Sequence, residues 1–122
     1  MKKKFYIIFL ILFYNLSFSQ IYTEKQINQL AREMSDNLSG MKIQDSDIVI
    51  NRIYSIDRDI VVVYIVPEDM ILDEKNIKSE KLEQMKAFGG DIFNKNQINF
   101  QLWFIKDKKM YKNLRINYYE FK

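Results

Sequence analysis

The sequence predicts an α+β fold: a two-layer sandwich in the order α-β-β-α-β-β, with two helices on one face of an antiparallel four-stranded sheet. Three observations carry this. The stretch Asp45 to Val66, DSDIVINRIYSIDRDIVVVYIV, reads as two β-rich runs joined at Asp57-Arg58-Asp59. Residues Ile98 to Ile105 alternate with the period of two that marks a half-buried strand. Residues Glu24 to Leu38 repeat apolar side chains at helical spacing.

In that first helix, Ile27, Leu30, Ala31, Met34 and Leu38 form one apolar face. Thr23 is placed as N-cap, with Gln26 completing a capping box. Gly40 stands where a C′ glycine ends a helix. Met41 to Ser46 is a linker into a strand over about Asp47 to Ser55. The next strand, about Asp59 to Val66, is closed by Pro67, which lacks a ladder donor. Its Ile60, Val62, Tyr64 and Val66 alternate with the equally apolar Val61, Val63 and Ile65. A strand with two apolar faces is central or covered on both sides, and its second face is read as meeting another subunit or partner.

A second helix is expected from about Asp73, either to Phe88 with a short turn or second helical segment after Gly90, or onward to Phe93, with Ile77, Leu82, Met85, Phe88 and Ile92 as its stripe. Gly89-Gly90 weakens or breaks it, since a glycine costs about 1 kcal/mol in a helix interior. In the third strand Ile98, Phe100, Leu102 and Phe104 face the core, against Asn99, Gln101, Trp103 and Ile105. Lys106 to Lys109 turns the chain into a fourth strand. There Leu114, Ile116 and Tyr118 point inward, against Asn113, Arg115, Asn117 and Tyr119.

The chain of 122 residues allows one domain. Residues 1–19 stand apart: Lys2, Lys3 and Lys4 precede the apolar run Phe5 to Phe18, and Ser17 and Ser19 supply small residues for cleavage. That is the layout of a secretory signal peptide. The run is shorter than the roughly 20 residues that cross a bilayer, so cleavage after Ser19 is favoured over an uncleaved anchor. The domain is then 20–122. With the leader's three lysines set apart from the 19 basic residues, 16 remain against 16 acids. A neutral domain excludes a nucleic-acid partner recognised by bulk charge.

There is no cysteine and no histidine. This closes off disulfide staples, cysteine nucleophiles, thiolate zinc sites, lipid-modified cysteine and histidine bases. No cofactor is implied. The acidic pairs Asp45/Asp47, Asp57/Asp59, Glu68/Asp69 and Asp73/Glu74 invite a calcium or acid–base reading. However, Asp57 and Asp59 suit a tight turn, and Asp73 and Glu74 a helix N-terminus. Asp45 and Asp47 lack the ligand ladder and glycine of a calcium loop. Lys106, Lys108, Lys109 and Lys112 make a small basic tip, most simply read as solvated turn lysines that also blunt a sheet edge.

The outer face of the second hairpin is the candidate site. Trp103, Tyr119, Tyr111 and Phe121 are expected outward among Gln101, Arg115, Asn99, Asn113 and Asn117. Aromatics with arginine and amides make a protein-recognition surface, although cross-strand aromatic pairs also stabilise a sheet by themselves.

The run from Leu38 through Val66, with Met41-Lys42-Ile43 leading into an acidic patch and a hairpin, resembles a widespread group of small exported bacterial proteins of unassigned function. The group has an N-terminal helix, a Leu-Pro-Met-like link, a hairpin, a second helix and a C-terminal hairpin. The likeness spans most of the chain after the leader and implies the fold, with no activity. Gly40 stands where the group tends to have proline, and the group's paired cysteines are absent.

The function expected from these residues is a non-enzymatic module of the bacterial envelope or periplasm, or secreted, that binds another protein or itself. Its form would be that of an inhibitor or immunity protein. The alternatives are an accessory subunit tethered by an uncleaved leader and, last, a carboxylate- or lysine-dependent enzyme. The intact mass of the protein from its native envelope separates the first two. It should lack residues 1–19, and the full-length mass would instead establish an anchor.

Overall fold

The strand that is apolar on both faces lies inside the sheet. A computed structural model describes residues 21–43 and 46–122. The leader read at 1–19, and Asp45 of the first acidic pair, lie outside them. The elements are α1 (Glu24–Leu38), β1 (Val49–Ile56), β2 (Asp59–Ile65), α2 (Glu74–Lys95), β3 (Asn99–Lys106) and β4 (Lys109–Ile116), followed by a 3-10 turn at Tyr118–Phe121. The strand order is β1-β2-β3-β4.

Both hairpins are antiparallel, but β2 and β3 run parallel, with Ile60 beside Phe100 and Tyr64 beside Phe104. The sheet is therefore mixed where a wholly antiparallel one was expected. The reason is α2, which carries the chain back to the end where β2 began, so that β3 sets off in the same direction. Period-two alternation is the same in either direction and could not distinguish them.

α1 forms as its capping residues dictate. The Thr23 hydroxyl accepts from the Gln26 N–H at 3.2 Å, and the Gln26 side chain accepts from the Thr23 N–H at 2.8 Å. Its five apolar positions are all buried. Gly40 takes φ +85°, a left-handed conformation that favours glycine, and its N–H reaches the Ile50 carbonyl.

α2 runs through both glycines, bending at Gly89 where the backbone leaves helical values. Gly90 is required by packing: a Cβ there would lie 3.3 Å from the Phe121 carbonyl oxygen. The helix thus accepts the C-terminal turn against its backbone. Phe121 then packs tilted on Phe93 and edge-on to Phe100, ring centroids 5.1 and 5.9 Å apart. Phe121 was expected outward and is buried; Tyr118 was expected inward on β4 and lies on the turn. Both shifts have one cause, namely that β4 ends at Ile116 and the Glu120 carboxylate accepts from the Asn117 N–H, which starts the turn.

Both helices pack on one face. Ile27, Leu30 and Met34 of α1 and Phe93 of α2 join Ile60, Val62, Tyr64, Phe100, Leu102 and Phe104 of the sheet in one core. Arg58 ties its ends together by donating to the carbonyls of Tyr22 (2.7 Å) and Asn96 (2.5 Å). The Asn96 side chain in turn accepts from the Tyr22 N–H at 2.7 Å. The start of the helical layer is so pinned to the loop between α2 and β3.

Phe93 is fully buried and Ile71 is 86% exposed. Phe93→Ala should cost about 3–5 kcal/mol in urea unfolding, and Ile71→Ala less than about 0.5 kcal/mol. Equal losses would contradict this core.

Candidate functional site

On the face away from the helices, the strand register sets side chains in rows. Ile65, Ile105 and Met110 form one row; Arg52, Val63, Trp103 and Asn113 the next; Tyr54, Val61, Gln101 and Arg115 a third. Asp59 and Asn99 follow. No helix of the described residues packs here, yet Val61 is 0% and Val63 6% exposed. Their covers are larger neighbours. Tyr54 and Trp103, on either side of β2, meet edge to face over it with centroids 5.9 Å apart. The Arg52 guanidinium lies 4.8 Å from the Tyr54 ring centroid. The result is a small second cluster, half-buried and bordered by the partly exposed Ile65 and Met110.

A chain of hydrogen bonds fixes the tryptophan. Its indole N–H donates to the Gln101 side-chain oxygen at 3.0 Å, and the Gln101 amide donates to Asp59 at 2.7 Å. Asn99 donates to the other Asp59 oxygen at 2.9 Å, and Arg115 reaches both oxygens, at 2.7 and 3.4 Å. The Arg115 Nε–H is taken by Asn117 at 2.7 Å. Burial pushes the Asp59 carboxyl up, but hydrogen bonds from Arg115, Asn99 and Gln101, together with the Arg115 charge, hold it below the usual carboxylate range.

Of the residues expected at the site, Trp103, Gln101 and Arg115 come together in this network. Tyr111 and Tyr119 do not. A bulge opposite Phe104 turns Tyr111 to the helical side. There its hydroxyl accepts from the Leu72 N–H at 3.3 Å and its ring lies 4.2 Å from the Lys106 ammonium. Tyr119 sits on the C-terminal turn, exposed, with its ring edge against Tyr118. Sequence reasoning missed Tyr54 and Asp59. A bulge between Ile50 and Arg52 hid Tyr54, because unbroken alternation from Ile48 and Ile50 places it on the helical side. Asp59 was read with Asp57 as a turn residue; Asp57 is one, at φ +54°, whereas Asp59 opens β2 and bonds side chains across three strands.

The network suits presentation of a surface rather than proton transfer. A carboxylate held ionised by three donors is a weak general base. On the helical side a groove of about 250 Å³ is lined by Ile43, Ile48, Ile77 and Phe104 together with Glu80 and Lys81. Burial lowers the Lys81 pKa. The nearby Ser46 hydroxyl is occupied, donating to the Ile43 carbonyl and accepting from the Ile48 N–H. Among the described residues no three Asp or Glu side chains converge on a metal position. No helix among them is long and apolar enough to cross a membrane. Two lysines of the basic tip have internal roles: Lys106 donates to the Met70 carbonyl, and Lys112 pairs with Glu74 at 3.5 Å.

Because the folded Asp59 pKa lies below its unfolded value, its stabilisation is present above about pH 4 and is lost as pH falls through the folded value. Asp59→Asn should therefore lower stability at neutral pH and flatten its decline below about pH 4. Urea midpoints across that range check this, and parallel curves for the two proteins would contradict it.

No protein-family model matches the chain, and no curated protein matches it. The fold itself is similar to a solved one. A pilotin from the Vibrio vulnificus type 2 secretion system, EpsS, superposes with a TM-score of 0.61 at 13% identity, over 81% of this chain and 94% of that one. At that identity the likeness is one of fold.

Proposed function

We propose that this chain is a non-enzymatic protein of the bacterial envelope that works by binding another protein through the uncovered face of its sheet. The observation that carries the reading is the fixed Trp103, half-buried against Tyr54 and oriented by Gln101, Asp59 and Arg115. Such a ring is an anchor whose ordering entropy is already spent before a partner arrives. Tryptophan, tyrosine and arginine are the residues that most often carry binding energy at interfaces. The surrounding amides and aliphatic side chains supply a polar rim and an apolar floor.

The fold of a secretion-system pilotin supports the accessory form of this reading over the inhibitor or immunity form. An accessory role also fits a leader at residues 1–19, which would carry the domain out of the cytoplasm. A tethered version draws support from Tyr22, whose backbone is held on both sides by Asn96 and Arg58. A retained anchor would leave the domain at that one fixed point. The enzyme reading draws least support, because Lys81, an amine whose pKa burial lowers, has Gln84 as its hydrogen-bond partner and Glu80 as its charged neighbour.

Trp103→Ala should retain the fold by circular dichroism and weaken partner capture, or self-assembly, by about 2 kcal/mol or more, roughly thirtyfold. Pull-down from the native envelope against the wild type measures it. Unaltered capture and assembly would refute the reading.

A further inference from the structure

The two edges of the sheet are treated differently. On the β1 side the backbone from Ile48 to Ile53 is engaged: the Ile50 N–H and C=O meet Met41 and Gly40, the Ile48 carbonyl takes the Ile43 N–H, and the Ser35 hydroxyl accepts from the Ile53 N–H. Along β4 no described residue forms a backbone hydrogen bond outside the ladder with β3. The turn at Asp107–Lys108 makes Lys106 and Lys109 a bonded pair, so Met110 turns its N–H and C=O outward; beyond the bulge Asn113 and Arg115 do the same. All three belong to the face that carries Trp103.

The edge is also charged with one sign. β4 reads KMYKNLRI, with Lys109, Lys112 and Arg115 and no acid. Glu74 meets Lys112 and Asp59 meets Arg115, while the exposed Lys108 and Lys109 have no acid within 4.0 Å among the described residues. Like charges directly opposite one another destabilise a strand pair, so this edge repels a second copy of itself and selects a strand of opposite sign.

We infer that β4 receives an extended acidic segment of a partner protein as a fifth strand, held by main-chain hydrogen bonds along Lys109–Ile116. Main-chain pairing gives such an addition its affinity, and alternate side chains its specificity. Residues of the added strand on the open side would extend the rows that end at Met110, Asn113 and Arg115, and acidic ones would meet Lys109. This rests on the protein-binding reading above and names the class of partner.

The test uses the domain with two fluorescein-labelled peptides of eight residues, matching β4, one alternating Glu with Val and one alternating Lys with Val. The Glu peptide should bind at least about tenfold tighter and weaken at high salt. It should also slow amide exchange at Met110, Asn113 and Arg115. Asn113→Pro, which removes an outward donor, and Lys109→Glu, which keeps the backbone intact, should each lose most of that binding. Equal binding of both peptides, no binding, or protection confined to the surroundings of Trp103 would overturn the inference. If partner capture still depends on Trp103 in those cases, the face-binding reading survives without the edge.

Discussion

The structure depends on β2 being covered on both faces. Five consecutive residues, Ile60 to Tyr64, are buried, and an alternating strand achieves that only when each face meets apolar material. One side is met by α1 and by the aromatic cluster of Phe93, Phe100 and Phe121. Among the described residues, the other is met only by side chains reaching inward from β1 and β3. That asymmetry explains why Tyr54 and Trp103 lie where they do: they are what removes Val61 and Val63 from water. It also explains the polar network, since a tryptophan used as a lid needs its N–H satisfied and obtains this from Gln101.

Much of the fold was legible because periodicity and capping are local signals. Thr23 and Gln26, Gly40, the alternation from Ile98 to Ile105, and the two-faced run from Ile60 to Ile65 each specify their element with little reference to the rest of the chain. What was not legible came from relations between distant segments. The parallel direction of β3 depends on where α2 delivers the chain. Its persistence through Gly89 and Gly90 depends on the C-terminal turn lying close to Gly90. The candidate site followed the same division. Trp103, Gln101 and Arg115 share a face by counting residues, whereas Tyr111 is displaced by a bulge with no marker in residue type, and Phe121 by the end of β4, marked only by the capping pair Asn117 and Glu120. Asp59 was hidden for another reason: its turn-like context supplied a sufficient local explanation, and its real partners lie 40 to 56 residues away.

The two sides of the sheet therefore do different work. The helical side holds the fold together by apolar burial without any disulfide, and its groove at Lys81 is small. The other side holds Trp103 in one orientation through Gln101, Asp59 and Arg115. Its free edge at β4 adjoins the same face, so a strand added there and a surface docked on Trp103 would form one continuous interface.

The central claim is that this face, and not the helical layer, meets a partner. Photo-crosslinking in the native cell tests it most directly, with a benzophenone side chain placed at Asn113 on the open face or at Lys25 on the outer surface of α1. A discrete adduct from position 113, lost when Trp103→Ala is combined with it, and none from position 25, is the predicted result. Adducts from position 25 alone, or equal adducts from both, would contradict it.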